Sequence, residues 1–189
     1  KHSINGAVYL ATNGFELNYN GEFANVIGRT NLGISASYTS PNYAINFFGF
    51  GNQSVNLETN NDAIDLDYNR IKMRQVSIGT SLIWKGDLGS LVKLSTTFEA
   101  FELDNTLDRF VNFTTDLPAR IFQHQNFLGS EFSYHFKNTD NEAFPTLGME
   151  IDVKTGFKTN LDESTVYGYL KPSVSFDYKI TNNGRLVLA

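Results

Sequence analysis

Residues Leu147–Lys158 read LGMEIDVKTGFK. Leu147, Met149, Ile151, Val153 and Phe157 fall on one parity, and Gly148, Glu150, Asp152, Lys154, Gly156 and Lys158 on the other. Successive side chains of a strand point to opposite faces, so this stretch is a strand with one oily and one charged face. The same period-two pattern predicts strands at Ser3–Thr12, Gly14–Phe23, Asn31–Thr39, Asn69–Trp84, Leu91–Phe101, Asn126–Lys137 and Val166–Ile180. A ninth begins near Arg185 and is cut off at Ala189. No segment carries a clear 3.6-residue stripe, so the chain is all-β.

Alternation does not say which face looks outward. A soluble β-sandwich and a membrane barrel share it. Three features favour the barrel. Several strands reach ten or more residues, whereas soluble strands run about 5–6 and a tilted membrane strand needs about 9–11. Gly33, Gly79, Gly129, Gly148 and Gly156 sit mid-strand on the polar parity, which suits a crowded interior better than an open surface. Aromatic residues gather at strand ends: Phe23, Trp84, Phe136 and Tyr178 at one rim, and Tyr38, Phe98 and Phe157 at the other. Two aromatic girdles around an aliphatic band are expected of a membrane barrel.

The energetics orient the strands. A charged side chain facing lipid at mid-membrane costs up to ~2–4 kcal/mol. The expected lipid-facing residues are therefore Leu17, Ile34, Ile78, Leu82, Leu94, Phe132, Met149, Ile151, Val153 and Val174. The expected lumenal residues are Glu16, Lys93, Glu99, Glu131, Glu150, Asp152, Lys154, Lys171 and Asp177. Long and short connections roughly alternate, as in barrels with tight turns at one rim and large loops at the other. The short TNG turn between the first two strands departs from that rhythm.

Composition narrows the class. At 41% apolar and 14% aromatic, with 16 Phe and 9 Tyr in 189 residues, the chain is too apolar for disorder. Its net charge of −5, with no basic patch, argues against nucleic acid. Without cysteine there is neither disulfide nor thiolate chemistry, and no apolar run is long enough for a membrane helix. No signal peptide is legible and Lys1 stands first, so the chain reads as a mature or excised segment. Nine strands are odd in number, whereas single-chain bacterial barrels have an even number. Residues 1–189 are thus expected to be the N-terminal portion, about the first half, of a larger antiparallel transmembrane β-barrel.

At PNYAINFFGFGNQS (Pro41–Ser54) and LDYNRIKMRQVSIGTSLIW (Leu66–Trp84), the chain resembles the bacterial surface antigen family of outer-membrane protein assembly factors. The aromatic-glycine FFGFGN at Phe47–Asn52, after YTSPN at Tyr38–Asn42, is similar to the subgroup whose barrel follows a calcineurin-like metallophosphoesterase domain. The family's Arg-Gly-aromatic loop tripeptide is absent, as are its periplasmic repeats and any phosphoesterase metal motif. The resemblance implies location in the bacterial outer membrane and a part in inserting or translocating outer-membrane proteins. Outer-membrane lipid, nascent outer-membrane proteins and accessory lipoproteins are the implied partners. The alternatives are a barrel that anchors or exports a fused metallophosphoesterase, and a passive porin-like pore.

No catalytic, cofactor or metal site is expected. FFGFGN reads as a loop base packed into the rim. Asp62, Asp65 and Asp67 lack the central Gly and distal Glu of a calcium loop. His2, His124 and His135 are scattered, with His135 on the polar parity near Glu131. Glu150 and Lys154 are expected to neutralise one another.

Overall fold

The computed structural model describes residues 1–49, 67–87, 89–113, 117–141, 143, 145–181 and 184–188. Among them, nine strands form one antiparallel sheet in sequence order: β1 His2–Tyr9, β2 Gly14–Ile27, β3 Thr30–Asn46, β4 Arg70–Lys85, β5 Leu91–Leu103, β6 Gln125–Thr139, β7 Leu147–Asn160, β8 Thr165–Thr181 and β9 Gly184–Leu188. Each strand pairs only with its sequence neighbours, so the sheet is open, with β1 and β9 at its edges. The all-β, antiparallel expectation holds; closure into a barrel is not seen among the described residues.

All nine expected strands are present, but their ends differ. β1 stops at Tyr9, because Leu10 and Thr12 enter the turn to β2. β2 runs on to Ile27 through a bulge in which Asn25 takes a positive φ, and Gly28, at φ +60°, closes a tight turn to β3. β3 extends to Asn46, well past the expected Thr39. Two extra residues are accommodated between Thr39 and Tyr43, beyond which Tyr43–Asn46 pair with Met73–Arg70. The polar start of β4 is therefore paired strand.

β2 to β8 are 13 to 17 residues long, more than a soluble sheet usually uses. One rim carries the connections 28–29, 86–90, 140–146 and 182–183, and the other carries 10–13, 47–69, 104–124 and 161–164. The rhythm is thus broken twice at the second rim, since the β7–β8 turn is as short as the β1–β2 turn. In the 104–124 connection lie a one-turn helix, α1 (Phe110–Phe113), and a 3-10 turn at Ala119–Phe122.

At the short rim, Asp140 ties the β6–β7 turn together. Its carboxylate accepts the Leu147 N–H (3.0 Å), the Thr146 hydroxyl and the Thr146 N–H (2.8 Å), which hold its pKa down at about 2.

Candidate functional site

The functional features of this sheet are its two faces. On the apolar face, Leu17, Ile78, Leu94, Phe132 and Val174 are 42–54% exposed. Ile34, Leu82, Met149, Ile151 and Val153 on the same face are half-buried. No second layer covers them among the described residues. The buried apolar side chains there are Ile71 and Val111 alone, neither on this face's aliphatic band. Ile71 and Val111 belong with the long-loop rim, where Phe110 meets the Phe47 and Tyr68 rings at 5.8 and 6.0 Å. Phe47 thus packs into the rim as expected; Phe50, Gly51 and Asn52, like Asp62 and Asp65, lie outside the described residues.

The aromatic residues follow a rule that the register exposes. Phe23 stands in one row with Leu32, Leu82, Leu94 and Phe132. Trp84 lies two residues nearer the short-turn rim than that row, and Phe136 two nearer than the Trp84 row of Val92 and Tyr134. Tyr178 lies four nearer than Val174, which shares a row with Phe136 and Ile151. The opposite belt climbs the same way. Phe98 is two residues nearer the short-turn rim than Ala100, in the Tyr38 row, and Phe157 two nearer than Thr159, in the Phe98 row. The second belt therefore shifts by one residue per strand, and the first by one per strand as far as Phe136 and two per strand from there to Tyr178. A level line crosses a sheet of tilted, staggered strands in this way.

The belt spacing can be read on β6. Phe136 lies 136 − 128 = 8 residues from Leu128, the partner of Phe98. At ~3.4 Å per residue this is roughly 27 Å along the strand. The apolar face is not unbroken: Thr80, Thr96 and Ser130 share one row across it. Ser130 Oγ donates to the Ser95 carbonyl (3.1 Å), satisfying the hydroxyl locally.

The polar face holds a charge network. Lys158 pairs with Glu99, and Lys85 with Glu22 (2.5 Å); each pair reaches across two strand gaps. Tyr169 donates its hydroxyl to Glu131 (2.7 Å), also across two gaps. Contacts of that reach require the side chains on this face to converge. Gly156 makes room for them: a Cβ there would stand 2.5 Å from the Ser130 carbonyl oxygen and 2.9 Å from the Tyr169 hydroxyl. Glu16 lies beside the Tyr9 hydroxyl, and Asp177 is engaged as well.

One expected pairing is corrected by the register. Glu150 is matched not by Lys154 but by Lys137 (3.8 Å), its direct partner across β6 and β7. His135, on the polar face as expected, meets Asp152 (3.0 Å), again its direct cross-strand partner. A carboxylate four residues along a strand is too far away, whereas the residue opposite is adjacent. The donor atoms of His135, Glu150 and Asp152 lie within 4.8 Å of one another, so these three could hold a divalent ion, with Lys137 competing for Glu150.

Lys85, Lys137 and Tyr169 were not among the expected lumenal residues. Their parity already placed them on the polar face, but their partners become visible only in the register. No known family model, curated protein or solved structure matches the chain. No helix among the described residues is long and apolar enough to cross a membrane, which leaves crossing by strands open.

Proposed function

We propose that this sheet is part of the wall of a transmembrane β-barrel in a bacterial outer membrane. Its apolar face meets lipid and its charged face lines the lumen. The observation that carries the reading is the uncovered apolar face bounded by two aromatic belts that climb together. In water, such a face would be an exposed apolar patch far larger than a monomeric protein usually tolerates. An open edge is not tolerated in lipid, so further strands must cover β1 and β9 in the working barrel.

Within that reading, the resemblance to the surface antigen family supports a part in inserting or translocating outer-membrane proteins. β1 suits such a role. At eight residues it is shorter than β2 to β8, and seven of its eight residues are exposed. A strand this short makes a weak seam with the strand that covers it, and where the seam opens its backbone groups can pair with an incoming strand.

Two measurements test the reading. In vesicles, Trp84 should be quenched more strongly by lipid brominated near the headgroup than at the chain end. Equal quenching by both, or none, would remove the membrane assignment. Cysteines at alternate positions of Ser3–Tyr9 should cross-link to a nascent outer-membrane strand. If no position captures one while Trp84 still reports insertion, the barrel stands and the assembly role falls.

A further inference from the structure

The register assembles a cationic row that the parity of single strands does not reveal. Lys93 on β5 is opposite Ser133 on β6, Ser133 opposite Lys154 on β7, and Lys154 opposite Lys171 on β8. All four side chains belong to the polar face, so three lysines are rooted in one line across four strands.

Of the other basic residues on this face, Lys85 is matched by Glu22, Lys137 by Glu150 and Lys158 by Glu99, whereas Lys179 lies at the short-turn end of β8, eight residues from Lys171. None of Lys93, Lys154 and Lys171 has an ion-pair partner among the described residues. The nearest carboxylates along the strands are already engaged, Glu131 by the Tyr169 hydroxyl and Asp152 by His135. Lys171 rests its ammonium over the Tyr169 ring, 5.0 Å from the centroid, which holds it beside the row without neutralising it. Like charges directly opposite each other destabilise a sheet, so the Lys154–Lys171 pair works against the fold unless something anionic lies between them.

We propose that this row binds a multivalent oxyanion of the phosphate class. Lysine ammoniums are compact point charges with three donors each, suited to a phosphate without imposing a planar fork. Ser133, in the row, and Ser173, two residues beyond Lys171 on the same face, offer hydroxyl donors. Strands lie about 4.8 Å apart, so the row spans roughly 14 Å, which suits a diphosphate better than a single phosphate. A cavity of about 470 Å³ opens at the Lys171 end of the row, lined by Ser95, Glu99, Glu131, Lys158, Tyr169 and Lys171, where Glu99 is already held by Lys158 and Glu131 by Tyr169. The inference rests on register and charge pairing; it is independent of whether the opposite face meets lipid.

The test is isothermal titration of the protein in non-ionic detergent with sodium pyrophosphate and with inorganic phosphate, at fixed chloride. Saturable binding is expected, tighter for pyrophosphate. Lys154→Gln and Lys171→Gln should each weaken it roughly tenfold or more, as loss of a charged hydrogen-bonding group does. Lys179→Gln, outside the row, should leave it unchanged. Without anion, Lys171→Gln should melt above the parent, because the opposed charges are relieved. If the folded parent shows no saturable heat, or if all three variants bind like the parent, the proposal is overturned. A bound phosphate with pyrophosphate no tighter would overturn the two-centre ligand.

Discussion

Leu94→Arg separates a lipid-facing from a water-facing sheet. Leu94 lies on the apolar face, four residues from Phe98 in one belt and in the row that Phe23 opens at the other. It is 42% exposed, so the longer side chain meets no steric barrier. In water, a substitution at such a site changes stability by about ±0.5 kcal/mol. Near the midplane of a bilayer, an arginine costs ~2–4 kcal/mol, falling to ~0–1 near the interfaces. At 1.4 kcal/mol per decade, the midplane cost shifts the folding equilibrium about 30- to 700-fold. Reversible urea unfolding from phospholipid vesicles, followed by the fluorescence of the sole tryptophan, Trp84, measures the difference. Tyr178→Arg, at a belt, should cost at least 1 kcal/mol less than Leu94→Arg by the same depth scale. A loss below about 0.5 kcal/mol at Leu94, or equal losses at the two sites, would refute the membrane reading.

Three further outcomes follow from the polar face and the short rim. Gly156→Ala places a methyl group 2.5 Å from the Ser130 carbonyl oxygen and should cost about 1–3 kcal/mol in urea unfolding, whereas Gly129→Ala, with 3.4 Å to its nearest neighbour, should cost less. Breaking the partly exposed Lys158–Glu99 pair should give a coupling energy of up to about 1 kcal/mol in a double-mutant cycle, diminished at high salt. Asp140, whose pKa is depressed to about 2, contributes stability that is fully present above the unfolded value near 3.8 and is lost as pH falls through about 2. Hydrogen exchange at the Thr146 and Leu147 amides should therefore quicken across that window relative to the pH trend of an unstructured peptide. Asp140→Ala should remove the extra pH dependence and leave the turn less protected at neutral pH.

The period of two was enough to place all nine strands and to assign every residue of the aliphatic band to one face, because parity is a local property of extended backbone. It misjudged strand ends, notably beyond Thr39, where β3 continues past Pro41 to Asn46. Pairing with the start of β4 extends that strand, and no local pattern announces a distant partner. Phe47 was legible as rim packing, but its partner Phe110 sits more than sixty residues away, in a loop with no readable period.

What the sequence determined by itself was the composition of each face: aliphatic and aromatic side chains on one, charges on the other. What only the tertiary structure decided was which residues stand opposite one another. Register gave Glu150 to Lys137, His135 to Asp152, and Lys154 to Lys171. It also turned seven scattered aromatic residues into two belts inclined the same way. A slip of two residues between neighbouring strands preserves every face yet changes every partner. Parity cannot detect that slip, whereas side-chain packing and hydrogen bonding across the sheet select one register.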